Sequence, residues 1–413
     1  MNLEHELKVE LMRFGFLWLA PALCVAVACG SDGGDSGGNN GGNGGNGGTA
    51  GGGTGGAGAE PSYATNGPGA CTGTWRAAND DFCHADCTID DCKRASQRPV
   101  DSCCVLVGEP GKGTSPNITR TTDTIDYSDP TGAPPNLSCF EGDAPGTKPS
   151  KLVTMKGIVE AFSNGCDLSN VKIEVYTVDN DPNSATYRDK LELIGTPVVT
   201  DDFDVVQEAD DDCPDELVDN RTYTYADVPT YTELMVITKS SDESGAGGAP
   251  LWRTLYTYNL YITEEDPDFD AGSNTYTRDQ RALADSDFQL IPTVALGSPI
   301  SSGNGAIGGE VHDCDNIRIQ NARVDINTVR AAVSYFNDDE YNPLPESGRN
   351  EVGTGRTAIY SALNVEPGVA RVAATGLMDV DGTQTLVTLG YYDVRIFADA
   401  VTSLTFRGRR PFQ

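Results

Sequence analysis

The chain has 413 residues, with 61 Asp plus Glu against 29 Lys plus Arg, 47 glycines and 12 cysteines. A formal charge of −32 excludes a nucleic-acid backbone as partner, because neutralising phosphates needs a basic footprint. Twelve cysteines point to an oxidising compartment, and only His5, His84 and His312 are on hand for general-base or metal chemistry.

In chain order, the first element is a leader. Met12-Arg13 opens an apolar run from Phe14 to Ala28 that ends in small residues, so residues 1–28 read as a signal peptide. The run is short for a bilayer span, which needs roughly 20 apolar residues. Glu4, Glu6 and Glu10 are out of place in a positively charged leader, so Met12 is the expected start. The segment Ala26-Val27-Ala28-Cys29-Gly30 resembles the lipobox of bacterial lipoproteins, with Ala26 where that family prefers leucine. The resemblance implies that Cys29 is lipidated and becomes the mature N-terminus. Plain signal-peptidase cleavage after Ala28 is the alternative. The expected location is the bacterial outer membrane or cell surface, with the membrane as partner through the anchor.

Residues 29–60 follow as a tether. Positions 30–58 hold 17 glycines and no apolar side chain larger than alanine, so nothing offsets the entropy of ordering them. Gly34-Asp35-Ser36-Gly37-Gly38 matches a serine-hydrolase pattern there by chance, with no strand before it and no helix after.

Residues 61–148 read as a small disulfide module. Cys71, Cys83, Cys87, Cys92, Cys103, Cys104 and Cys139 stand among few apolar residues, so crosslinks must supply stability. A zinc cluster is the weaker alternative, because the adjacent pair Cys103-Cys104 suits one tetrahedron poorly.

The remainder repeats one unit. Gly157-Ile158-Val159, Cys166-Asp167 and Asn170 to Val175 recur as Gly309-Glu310-Val311, Cys314-Asp315 and Asn321 to Ile326. Arg221 to Val228 recurs as Arg356 to Leu363, and Thr254 to Ile262 as Thr388 to Ile396. The matched pieces are short, rich in Val, Ile, Thr and Tyr, and set between Gly, Asn, Asp and Pro clusters. The expected architecture is all-β: two tandem antiparallel β-sandwiches, at 149–265 and 303–413, joined by a linker at 266–302. One short helix is expected from Tyr276 to Asp285. Trp252, Tyr258, Leu260 and Ile262, matched by Leu386, Tyr392, Val394 and Ile396, share a parity and should point to one side. Tyr225 and Tyr360, at one repeat position, should be buried with their hydroxyls bonded. Outward aromatics for sugar stacking would be Tyr261 and Phe397.

On these residues the unit resembles the carboxypeptidase regulatory-like, or transthyretin-like, β-sandwich. The features are Gly157/Val159, Val171 to Val175 and Tyr225 to Val236, then Gly309/Val311, Val324 to Ile326 and Tyr360 to Val372, with a Pro367-Gly368 turn in the second copy. Pro229-Thr230-Tyr231 replaces that turn in the first. The resemblance implies an accessory, spacer or binding module and no catalytic residues.

No His-x-x-Glu or His-Glu-x-x-His spacing occurs, and His312 reads as a strand-end residue beside a crosslink. Calcium is the candidate ligand, on the alternating carboxylates Asp179/Asp181, Asp210/Asp212 and Asp266/Asp268/Asp270. Solvated surface carboxylates are the alternative, and no other cofactor is expected. Cys166 and Cys213 are expected to pair. Cys314 lacks such a mate, so it should bridge to one of the seven cysteines between 71 and 139. The expected function is a non-catalytic cell-envelope lipoprotein acting as a structural, spacer or binding module. The alternative is a surface adhesin that binds a glycan or an envelope protein, with calcium as an aid.

Overall fold

The computed structural model describes residues 116–121, 132–140, 146–162, 170–200, 222–241, 251–326, 328, 330, 332–339, 342–350, 352–408 and 410–412. The leader, the tether, Cys29, Cys71, Cys83, Cys87, Cys92, Cys103, Cys104, Cys166, Cys213, Asp210 and Asp212 lie outside these residues.

The strands of the first half are β1 (Thr119–Arg120), β2 (Leu152–Ala161), β3 (Val171–Val178), β4 (Lys190–Val199), β5 (Thr222–Pro229) and β6 (Leu234–Ser240). They continue as β7 (Trp252–Arg253), β8 (Leu255–Leu260), β9 (Phe269–Asp270), β10 (Thr275–Thr277) and β11 (Gln280–Ala284). One helix, α1 (Asp285–Leu296), leads to β12 (Gly305–Glu310), β13 (Ile319–Gln320), β14 (Arg323–Ile326) and β15 (Ala332–Tyr335). The chain closes with β16 (Ile359–Val365), β17 (Gly368–Val380), β18 (Thr383–Ile396) and β19 (Val401–Ser403).

The internal repeat survives as topology. In the first unit β2 pairs antiparallel with β5, and β3, β6 and β8 form an antiparallel ladder. In the second, β12 pairs antiparallel with β16, and β14, β17 and β18 form the matching ladder. Each unit then closes with a return parallel to its own first strand: β10 and β11 on β2, and β19 on β12.

Two expectations are corrected here. The first unit extends into the expected linker at 266–302, because β10 and β11 are that unit's closing strands. Residues 276–284 are not helical. The helix begins at Asp285, with Asp285 and Asp287 in its first turn, where acidic side chains complement the helix dipole. It ends at Gly297 in the left-handed conformation (φ 75°).

The units are fused through backbone. β19 also pairs in parallel with β8, matching Val401 to Leu255, so one eight-stranded sheet runs β15-β16-β12-β19-β8-β6-β3-β4 across both repeats. Period-2 alternation gives its first-unit strands two apolar faces. Val171, Ile173, Val175, Leu234 and Val236 enter a core with Val153, Met155 and Tyr225. Met235, Ile237 and Tyr258 enter the second unit's core with Tyr392, Val394 and Ile396.

Tyr258 and Leu260 therefore face opposite ways, against the parity expected from the sequence. Asn259 between them has φ 63°, and β6 meets β8 with a shifted register there, a bulge that reverses side-chain direction. Asn259 also ties the seam. It accepts from Tyr392 Oη at 2.6 Å and donates through Nδ2 to the Thr405 carbonyl at 2.7 Å.

The described part of the cysteine-rich segment packs onto the second unit. β1 pairs with β13, and Ile118, Leu137 and Phe140 join the second core. Cys139 and Cys314 form a disulfide with Cα atoms 5.5 Å apart. Arg120 Nε meets Asp313 at 2.5 Å beside it.

Candidate functional site

A cleft of about 400 Å³ opens between the two units. One wall is the non-core face of the second unit's first sheet. Ile307, Tyr360, Ala362, Leu404 and Phe406 point into the second core. The alternate positions therefore face the cleft: Ala306, Gly308 and Glu310, then Ser361 and Leu363, then Ser403, Thr405 and Arg407. Gly308 is the register partner of both Ser361 and Ser403, so the middle of this wall is small and hydroxylated. The opposite wall comes from β2, β11 and α1, through Glu160, Phe162, Leu283, Phe288 and Ile291, with Arg278 on the turn between β10 and β11.

The two ends differ in chemistry. Under α1, Phe288, Leu283, Ala306, Leu363 and Val401 form an apolar cluster with Phe162 and Ile291 against it. The other end carries Arg278, Arg407 and Glu310. His312 Nε2 lies 2.6 Å from Glu310 Oε2 and Arg318 Nη2 lies 3.2 Å from its Oε1. Burial alone would raise the Glu310 pKa, but the His312 hydrogen bond and the Arg318 charge outweigh it and hold the carboxyl well below its usual range. Burial, and then the positive charge of Arg278, push Arg407 down to about 10. Arg278 Nε, Arg407 Nε and Ser361 Oγ are buried without a hydrogen-bond partner.

The residues singled out from sequence fall elsewhere. Asp179 Oδ1 accepts the Asp181 amide at 3.0 Å and its Oδ2 accepts the Thr186 hydroxyl at 2.8 Å, while Asp181 accepts the Asn183 amide at 2.9 Å. Asp266 accepts the Asp268 amide at 3.1 Å, and Asp270 accepts the Gly272 amide at 2.9 Å. These hydrogen bonds to the amide two residues on close Asx turns in the described loops. Among the described residues no group of three or more His, Cys, Asp or Glu is placed to hold a metal ion. Of the described calcium candidates, Asp268 is the one that lines the cleft, at its arginine end.

Tyr261, expected to face outward, is buried against Tyr231 and Phe412, at ring-centroid distances of 6.3 and 5.6 Å. Phe397 stacks on Tyr256 at 3.7 Å. Both rings are packed on neighbours rather than displayed. His312 does sit at a strand end next to the disulfide, but it is buried, with Nδ1 2.8 Å from Asn316 Oδ1 and Nε2 on Glu310. Both nitrogens are therefore engaged, Nε2 by the Glu310 carboxylate and Nδ1 by the Asn316 amide oxygen. Tyr225 and Tyr360 are fully buried, donating to the carbonyls of Ile194 (2.6 Å) and Leu404 (2.7 Å).

No protein-family model matches the chain, and no curated protein matches it. Among solved structures, a streptococcal ancillary pilin aligns over 62% of this chain and 62% of its own length, at 13% identity and TM-score 0.17. The shaft pilin SpaA of Lactobacillus rhamnosus GG aligns over 64% of this chain and 100% of its own, at 8% identity and TM-score 0.18. GBS52, the minor pilin of Streptococcus agalactiae, aligns over 62% and 94%, at 10% identity and TM-score 0.15. Likenesses at such scores carry no argument about function.

Proposed function

We propose that the chain is a non-catalytic bacterial envelope protein with a structural or binding role, exported and lipid-anchored through Cys29 and built on tandem carboxypeptidase regulatory-like sandwiches. The observation that carries the reading is the shared eight-stranded sheet, which makes two sandwich units one load-transmitting body instead of two beads. Seam contacts from Asn259 and the Cys139–Cys314 crosslink support the same role, since both tie distant parts of the chain together. Export is supported by that disulfide, which persists in oxidising compartments. The anchor is supported by the Ala26 to Gly30 pattern and the glycine-rich stretch behind it.

The test is metabolic labelling with an alkyne fatty acid, followed by membrane fractionation of the wild type and Cys29→Ser. Label and membrane association in the wild type, both lost in the variant, are expected. Unlabelled wild type, or a variant that still takes label, overturns the anchor.

A further inference from the structure

Among the described residues six buried side-chain polar atoms lack a hydrogen-bond partner, and three of them, Arg278 Nε, Arg407 Nε and Ser361 Oγ, line the cleft between the units. A buried donor left unpaired is destabilising, more so when it is charged. Two arginines that also repel each other make that concentration costly without a counter-group.

The nearby carboxylates do not supply it. Glu310 is held by His312 and Arg318, Glu160 pairs with Arg281 at 2.5 Å, and Asp279 accepts the Ile158 amide at 3.0 Å. Asp268 feels both Arg407 and Arg278, but it also feels Asp266 and Asp279, and neither arginine Nε receives a hydrogen-bond partner from this group. Away from this charged end the cleft becomes apolar, under Phe288 and Ile291 of α1 with Leu363 and Val401 across from them. Its volume of about 400 Å³ lies in the range of small-molecule sites, about 300–1,000 Å³.

We propose that the inter-repeat cleft binds a small amphiphilic carboxylate, its head group received by Arg278 and Arg407 and its apolar body laid past Ser361 toward α1. The order of the site follows the strands. Arg407 lies six residues beyond Val401 along the β19 segment, so one extended ligand meets the cation and then the apolar wall. Guanidinium groups suit carboxylates because the planar fork offers paired donors to both oxygens. The proposal rests on the binding role, not on the anchor, so its failure would leave the Cys29 labelling result unchanged.

The test is calorimetric titration of the full chain with decanoate, decanol and sulfate as separate probes. Decanoate is expected to bind at one per chain, with decanol and sulfate each at least tenfold weaker. Arg278→Gln and Arg407→Gln should each weaken decanoate at least tenfold. Gly308→Leu should abolish binding by filling the cleft, since a Cβ there meets only the Tyr360 carbonyl oxygen at 3.7 Å. Melting curves on each variant establish that it folds, and an arginine variant that melts no lower yet loses decanoate supports the site most directly. Decanoate that fails to bind the wild type overturns the proposal. So does decanol or sulfate binding as tightly as decanoate, or full affinity in both arginine variants.

Discussion

Gly157 and Gly309, 152 residues apart, meet the same obstacle at the same place in their repeats. A Cβ on Gly157 would lie 2.2 Å from the Arg278 carbonyl oxygen, and one on Gly309 1.8 Å from that of Leu404. Each carbonyl belongs to the segment that returns parallel to the glycine's own strand, so the closure of each unit requires bare backbone. Gly157→Ala and Gly309→Ala are each expected to cost about 1–3 kcal/mol in urea unfolding, the usual scale for overpacking. Gly308→Ala, whose Cβ would meet only Tyr360 O at 3.7 Å, should stay within about 0.5 kcal/mol. Equal losses at 308 and 309 would contradict the close-approach account.

Tyr225 and Tyr360 make a second matched pair. Their hydroxyls donate to main-chain carbonyls of neighbouring segments, and Tyr225 Oη also accepts the Val175 amide at 3.3 Å. Burial raises the pKa of both, so both stay neutral donors at any working pH. Tyr225→Phe and Tyr360→Phe keep the ring but strand a buried carbonyl, and each should lower stability by about 1–3 kcal/mol. Chemical denaturation that finds either substitution neutral would show that the hydroxyl contributes nothing there.

These pairs explain how much could be read without coordinates. Glycines 157 and 309, tyrosines 225 and 360, and the alternation Val171-Ile173-Val175 carry their constraints in residue identity, so the repeat and its β character are visible in the sequence. The fusion of the units is invisible, because Val401 and Leu255 pair through backbone atoms that every residue possesses. The side taken by Tyr258 is set by one left-handed residue, Asn259, which breaks the parity on which a strand reading depends. The cleft escapes for a related reason: Gly308, Ser361, Ser403 and Thr405 have the composition of a solvent-facing strand side, and only the position of the first unit and α1 turns that side into a wall. Strand β11, Gln280-Arg281-Ala282-Leu283-Ala284, consists of good helix formers and becomes a strand through pairing with β2. Of the described acidic candidates, the sequence spacing located the turns that Asp179, Asp181, Asp266 and Asp270 close.

The Cys139–Cys314 bridge spans 175 residues and ties the end of the cysteine-rich segment to the second unit. Crosslinks that close long loops restrict the unfolded chain most, typically by about 2–4 kcal/mol. Cys139→Ser with Cys314→Ser should lower the melting temperature measurably, and limited proteolysis should then cut first near residues 132–140. Unchanged melting together with an unchanged cleavage pattern would mean that β1, Ile118 and Phe140 hold the segment unaided.

Arg188 and Glu233 form an ion pair with side chains only 3% and 2% exposed. Arg188 Nη1 donates to Glu233 Oε2 at 3.0 Å, and its Nε donates to the Asp393 carbonyl at 2.7 Å, so the pair also touches the second unit. Removing one partner leaves a buried charge uncompensated, and Glu233→Ala should cost about 3–5 kcal/mol. The double variant Arg188→Met/Glu233→Leu should cost less than the single, because no charge is then left alone. A double variant worse than Glu233→Ala in urea unfolding would place the value of the site in the Asp393 contact.

Glu310 gives a pH signature. Its folded pKa is depressed: burial opposes ionisation, and His312 with Arg318 more than offsets it. A depressed folded value means that the charged form stabilises the fold. That stabilisation is fully present above the ordinary carboxyl value of 4.5 and is lost as pH falls below it toward the folded pKa. In Glu310→Gln the group cannot ionise, so the variant should be less stable than wild type near pH 7. The two should converge as the solution is acidified from about pH 4.5 downward. Melting temperature against pH for both proteins tests this, with the difference between the curves isolating Glu310 from other carboxylates such as Glu174, which Lys172 and Lys239 also hold low against the cost of burial. Curves that run parallel from pH 7 to pH 3 would show that the His312 and Arg318 contacts do not favour the ionised carboxyl.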